Sequence, residues 1–255
     1  MPAAPTELRL ERLIWPDVEA ALAAGRRTAV LPCGAIEQHG PHLPLRVDAE
    51  HAAALGLEVA RRLGDALVAP EVRVGCSDHH LDFPGTLSLR RETLEAVHVD
   101  LCRSLARHGF TRVCCFSAHG GNFAPLAEMV GRLDEAAGPD CRVVAYTDLL
   151  GFIGLWRDVA EESAGLGARV GGHADLAESS ITLALAPETV RAERAEPGVD
   201  TGLDPETVER TIRDGFRAVT PNGVLGDPTG MDAALGRRLI ERMADLLAEH
   251  FRSSP

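Results

Sequence analysis

Between residues 28 and 146, short apolar runs rich in β-formers alternate with longer stretches of helical periodicity. This alternation constrains the fold more than any other feature of the chain. The runs lie at 28–33, 67–69 with a possible continuation to 74, 112–116 and 141–146. Helices are predicted at 47–63, 91–108 and about 124–137. In the first of these, Ala52, Leu55, Val59 and Leu63 recur at helical spacing and mark a core-facing stripe. An earlier helix is predicted at 15–25, with Pro16 in its first turn and Gly25 at its end. Strands that alternate with helices predict an α/β fold, a parallel sheet covered on both faces. Ligands of such sheets sit at the carboxyl ends of the strands.

Beyond residue 146 the pattern is less regular. Residues 149–172 are rich in glycine and read either as a mobile lid carrying Trp156 or as a surface loop anchored by it. A helix is predicted at 174–185, with His173 at its start. The segment 191–227 is charged, rich in Pro and Gly and without periodicity, which predicts an outer cover or a contact with a neighbouring subunit. A last helix is expected at 231–251. With 255 residues, 45% of them hydrophobic, the chain can bury one sizeable core as a single domain.

The chemistry concentrates after the first and third strands. Residues 34–48 contain Glu37, His39 and Asp48. Glu37 and His39 stand two apart, so an extended segment points both the same way. Asp48 follows a Pro-containing turn that can return it to the same pocket. His119 comes directly after the third strand, and Gly120 and Gly121 behind it let the backbone approach a ligand closely. Glu178 lies on an apolar helix, where a buried carboxylate needs a cation or a donor. Carboxylates mixed with imidazoles suit Zn²⁺, Fe²⁺ or Mn²⁺.

Four blocks, in order, resemble the creatininase family of amidohydrolases: Gly34-Ala35-Ile36-Glu37-Gln38-His39-Gly40-Pro41-His42-Leu43-Pro44 with Asp48; Phe83-Pro84-Gly85-Thr86-Leu87-Ser88-Leu89; Ala118-His119-Gly120-Gly121-Asn122; and His173-Ala174 followed by Glu178-Ser179-Ser180. The resemblance implies a three-layer α/β/α sandwich with a mainly parallel sheet. It also implies two divalent metal ions per subunit and a homo-oligomer, commonly a hexamer. Glu37, Asp48 and His119 would hold one ion; His39 and Asp48 would hold the other, with Asp48 bridging. Creatininase proper adds a glutamate where this chain has Gly121, so either Glu178 completes the second position or that ion binds more weakly. His173 matches the proton-transfer histidine, and its place at a helix start should depress its charged form. Ser77 and His80 match substrate contacts, and Gly120, Gly121, Asn122 and Arg169 are further candidates on the substrate side. Arg169 replaces a tryptophan that closes over creatinine, which argues against that substrate. Family members with the Gly-Gly-Asn form include formamide deformylases of flavin and deazaflavin biosynthesis. They also include a peptidase that releases the C-terminal dipeptide of a modified precursor peptide, which is the expectation taken forward. A non-catalytic metal-binding scaffold is the remote alternative.

The formal charge of −12 argues against nucleic acid or anionic lipid as partners. No apolar run approaches the ~20 residues that span a bilayer, and residues 1–12 are polar, without a signal-peptide core. The six cysteines form no CxxC pair, which suits free thiols in a reducing compartment. A cytoplasmic protein is the expectation. His98, His108 and His250 are expected on helix surfaces, and His42 and His79 near the site as partners of its ligands.

Overall fold

The computed structural model describes residues 5–200 and 205–254. Residues 1–4 of the polar N-terminal stretch and 201–204 of the predicted outer segment lie outside these. A four-stranded parallel sheet forms the centre, in the order β2-β1-β3-β4: β1 Thr28–Cys33, β2 Ala66–Val68, β3 Arg112–Ser117 and β4 Arg142–Ala145. β1 and β3 run in register from Thr28↔Arg112 to Cys33↔Ser117.

Because side chains alternate along a strand, each strand feeds two cores. Val30, Cys114, Phe116 and Val144 face one side. There they meet α2 (Val47–Leu63), α5 (Leu149–Ala164), α6 (Leu176–Leu185) and α9 (Ala233–Ser253). Ala29, Leu31, Val113, Cys115 and Val143 face the other side, against α1 (Trp15–Ala23), α3 (Arg91–Arg107) and α4 (Phe123–Ala137). The predicted three-layer α/β/α sandwich is what forms. A small antiparallel pair, β5 Val170–His173 with β6 Leu225–Gly226, stands beside the main sheet. Two further helices, α7 Pro205–Asp214 and α8 Phe216–Val219, precede β6.

Connectivity places the site. From β1 the chain crosses through α2 to β2 on one side, whereas β3, on β1's other side, leads through α4 to β4. The connections therefore diverge between β1 and β3, and a crevice opens where strand order reverses. Residues 34–48 and His119 leave the carboxyl ends of those two strands.

Three expectations need correction. Residues 149–172 are no lid: 149–164 form α5, capped by the Asp148 carboxylate that accepts from Gly151 N. Trp156 is buried, and its indole N–H points at Met243 Sδ 2.7 Å away. Packing against α9 overrides the weak helix preference of Gly151 and Gly154. His98 is buried on α3, not on the surface, with Nδ1 bonded to Leu94 O. Part of 191–227 turns inward, as the site shows. His108 is exposed as expected, and His250 is half-buried.

Candidate active site

Local backbone chemistry brings the ligand-type side chains together. Gly34 ends β1 so tightly beneath α2 that a Cβ there would lie 2.6 Å from Ala49 Cα and from Asp48 O. Only glycine lets the first turn of α2, with Asp48, sit over the strand end. The loop is then pinned by Glu37 N donating to Leu45 O and by the bridge between Ile36 and Leu87. Glu37, His39, Asp48 and His119 are all buried, as are His173 and Glu178.

His39 Nε2 is 3.1 Å from Asp48 Oδ1 and 3.6 Å from Glu178 Oε2. His119 Nδ1 is 3.2 Å from both Glu37 Oε1 and Asp48 Oδ2. The two oxygens of Asp48 thus face the two imidazoles separately. The opposite ring nitrogens are held by main-chain carbonyls, His39 Nδ1 by Glu37 O at 3.1 Å and His119 Nε2 by Cys76 O at 3.0 Å. Such backing bonds orient metal-ligating histidines. Ligand atoms of Glu37, Asp48 and His119 lie within 4.8 Å of one another, as do those of His39, Asp48 and Glu178 and those of Glu37, His39 and His173.

The donor set fits a divalent cation. Both oxygens of Glu37 and Oδ2 of Asp48 are fully buried without a hydrogen bond. Buried carboxylates left so demand positive charge. Electrostatics show the same demand. Burial pushes the Glu37 carboxyl upward, against the pull of His119. Burial also opposes charge on Asp48, His39 and His119, but their mutual attraction wins: Asp48 is held low, and both imidazoles are held well above the ordinary histidine range. The cluster thus draws positive charge to itself, which is what a divalent ion would supply.

The remaining predicted residues divide. Glu178 joins His39 and Asp48, and its Oε2 also accepts from Ala174 N, a residue in the left-handed region at φ 51°. Gly121 offers no room for any side chain: a Cβ would lie 2.4 Å from both Cys76 O and His119 Nε2. Glu178 is therefore the carboxylate available to the second position. His173 closes β5, two residues ahead of Asp175, which caps α6 by accepting from Ala177 N and Glu178 N. Burial and then the neighbouring His39 lower its pKa well below the usual value, rather than a helix end whose amides Asp175 already takes. Its Nδ1 lies 3.8 Å from Glu37 Oε1 and 3.9 Å from Glu178 Oε2.

Ser77 and His80 touch the ligand cluster directly. Ser77 Oγ lies 3.3 Å from His119 Nε2, and His80 Nε2 lies 3.2 Å from Glu37 Oε1. Gly120 and Gly121 line the adjoining cavity. Asn122 faces elsewhere: its amide straps Cys76 N and Gly34 O together behind the site. Arg169 also differs from expectation. Its guanidinium is bonded to Thr229 and lies 3.5 Å from Asp227 Oδ2, outside the cavity wall. His79 stacks on His119, with centroids 5.7 Å apart, and His42 bonds Ser179 Oγ at 2.8 Å.

Sequence reasoning missed Gln38, Phe216 and Gly223. Gln38 Nε2 lies 3.0 Å from His80 Nδ1, 2.9 Å from His173 Nε2 and 3.2 Å from Gly223 O. Phe216 stacks on His80 at 4.0 Å and meets His173 edge-on at 4.7 Å. Gln38 carried a signal, since it stands between two candidate ligands. Phe216 carried none, because α8 reads as a charged loop. Beside the cluster lies a cavity of about 580 Å³, polar where Glu37, Asp48 and His119 line it and apolar along Leu149, Phe152 and Trp156.

The family model described as creatinine amidohydrolase matches residues 11–251. A protein of Mycobacterium tuberculosis named mycofactocin precursor peptide peptidase is 36% identical over 227 residues, 85% of this chain and 81% of the relative. The creatinine amidohydrolase of Pseudomonas putida is 34% identical over 193 residues, 71% of this chain and 73% of that one. The solved structure titled "Creatininase Mn" superposes with a TM-score of 0.79 at 28% identity, covering 97% of this chain and 98% of the other. Fold, clustered ligands and these matches converge, and the chain belongs to the creatininase family of hydrolases that act on amide bonds.

Proposed function

We propose that this protein is a divalent-metal peptidase, one domain throughout, that cleaves the modified mycofactocin precursor peptide to release its C-terminal dipeptide. The observation that carries the metal reading is the buried pair of carboxylates, Glu37 and Asp48, three of whose four oxygens have no hydrogen bond, ringed by His39, His119 and Glu178. Glu37, Asp48 and His119 would hold one ion and His39, Asp48 and Glu178 the other, whether Zn, Fe or Mn. Bound there, such ions would supply a Lewis acid for the amide carbonyl and a water whose pKa is lowered to about 7.

His173 does the proton work. Its Nε2 lies 2.9 Å from Gln38 O, to which it donates, leaving Nδ1 open toward the centre. Burial keeps the ring neutral at pH 7, so Nδ1 is free to accept. As water adds to the amide carbon, one of its protons passes to Nδ1. The C–N bond then breaks, and that proton goes to the departing nitrogen, which leaves as an amine. His80 lines the approach to the amide, while Ser77, fully buried, supports His119. The other face of the cavity, with Phe152 and Trp156, receives the apolar part of the substrate.

The mycofactocin substrate rests on the relative's name at 36% identity. A cavity of about 580 Å³ supports it, since a ring as small as creatinine would fill only part of that space. Creatinine hydrolysis is the second reading, favoured by the 34% identical relative. Six buried cysteines, none in a disulfide, suit a cytoplasmic enzyme. Among the described residues no helix is long and apolar enough to cross a membrane. A homo-oligomer, as a hexamer, completes the proposal. The test is incubation of purified protein with the modified precursor, creatinine and a formamidopyrimidine, followed by mass spectrometry and metal analysis. A new dipeptide product from the precursor is expected; hydrolysis of creatinine alone, or full activity in metal-free protein, would overturn the reading.

A further inference from the structure

Gln38 stands between Glu37 and His39 yet offers neither of them its side chain. Its amide is oriented by an unambiguous contact: Gly40 N donates to Oε1 at 2.9 Å, which fixes the other end as the NH₂ group. That group has two protons to give and three neighbours within reach, His80 Nδ1, Gly223 O and His173 Nε2. His173 Nε2 has a second neighbour at 2.9 Å, the main-chain carbonyl of Gln38 itself.

One assignment gives each of these acceptors, Gln38 O, His80 Nδ1 and Gly223 O, a donor. His173 Nε2–H donates to Gln38 O. The Gln38 amide donates to His80 Nδ1 and to Gly223 O. His80 then carries its proton on Nε2, 3.2 Å from Glu37 Oε1. If the amide instead donated to His173 Nε2, either His80 Nδ1 or Gly223 O would be buried without a donor. We propose that Gln38 is a positioning residue that sets the tautomers of two histidines at once. Its carbonyl leaves His173 Nδ1 open to the reacting centre, and its amide turns the His80 Nε2–H toward Glu37.

The surroundings are built around this amide. Gly223, at φ 80°, approaches so closely that a Cβ there would lie 2.0 Å from Gln38 Oε1. Phe216 lies against both rings from the far side and denies them another orientation. Arg217 anchors that wall by donating to Asp82 O at 2.8 Å and lying over the Phe83 ring. The segment that sequence reading assigned to the outside thus closes the histidine cluster through Gln38.

The inference rests on the proposed hydrolase reading for its effect on turnover, but not for its structural content. Nitrogen-15 NMR of the imidazoles in the zinc-loaded protein reads the tautomers without any substrate. In the wild type, both His80 and His173 are expected as single Nε2–H tautomers. Gln38→Met keeps length and volume but removes the amide. His80 should then become a mixture of tautomers while His173, still held by the main-chain carbonyl, keeps its own. With the substrate that proves active, kcat should fall about 10–100-fold, as for other partners that orient a metal site, with KM near wild type and metal retained. Gly223→Ala, which drives a Cβ into the Gln38 amide, should give the same split between the two histidines. A single unchanged His80 tautomer in either folded variant would overturn the inference, as would a fall in Tm with both tautomers intact, which marks a merely structural role. Absence of turnover on every substrate, with the tautomer split present, would count against the hydrolase reading instead.

Discussion

The adjacent glycines after β3 allow a matched test of the site. In Gly121→Ala the new Cβ would lie 2.4 Å from Cys76 O, 2.4 Å from His119 Nε2 and 2.7 Å from His79 Cε1. The first two atoms form the 3.0 Å hydrogen bond that orients His119, so the methyl group is wedged into that bond. In Gly120→Ala the Cβ meets only Leu149 Cδ1, at 3.9 Å, an ordinary contact. Neither glycine has a positive φ, so backbone strain does not separate the two. Overpacking of this kind costs about 1–3 kcal/mol. For a chain of this length each kcal/mol moves Tm by about 2–4 °C, so Gly121→Ala should melt about 2–12 °C lower. Gly120→Ala should be neutral or stabilised by about 0.4–1 kcal/mol through a stiffer unfolded chain. Displacing His119 Nε2 from Cys76 O should also weaken metal binding by at least about 10–100-fold. Scanning calorimetry with and without added metal, together with metal analysis after dialysis, reads both effects. Equal metal content and equal Tm in the two variants would refute the claim that His119 is held by this close approach.

His119→Ala should lose bound metal and activity together, checked by metal analysis and substrate turnover. His173→Ala should keep its metal and lose turnover if Nδ1 of His173 is the proton carrier proposed above; retained turnover would remove it from that role. Metal loading should release protons, because His39 and His119 are held protonated above the ordinary range until an ion replaces them, so affinity should fall as pH falls; calorimetry in buffers of different ionisation enthalpy measures this. His51, buried and bonded to Thr182 Oγ1, has its pKa lowered to about 3 by burial. A depressed histidine stabilises the fold above its unfolded pKa, and that stability is lost as pH falls from about 6.5 toward 3, with about 2 kcal/mol gone by pH 5. His51→Gln should flatten the acid limb of a pH-dependent denaturation curve over that window.

How far the sequence carried the argument follows from which forces act locally. β1 and α2 emerged at their observed bounds because apolar runs, helical stripes and the C-terminal Gly64 encode them within a few turns of chain. The ligand cluster was legible for a topological reason: parallel strands deliver their following loops to one edge, so Glu37, Asp48 and His119 had to arrive there together. What escaped depended on distant packing. α5 reads as either a lid or a Trp-anchored surface loop because its glycines speak against a helix locally, while its burial against α9 is invisible along the chain. Arg169 is expected on the substrate side because it stands where the resembled family has a tryptophan over its substrate, but Asp227 and Thr229, about sixty residues on, claim its guanidinium. Gly121 reads along the chain as a missing carboxylate and as room for a ligand to approach the backbone. The structure gives it a positive reason, because the space a side chain would need is filled by the bond that aims His119. That same crowding makes Glu178, reached from another helix, the carboxylate that can face His39. The ligand set proposed for this chain thus turns on a close approach at one glycine, and that approach exists only once β3, α6 and the Cys76 loop have folded onto one another.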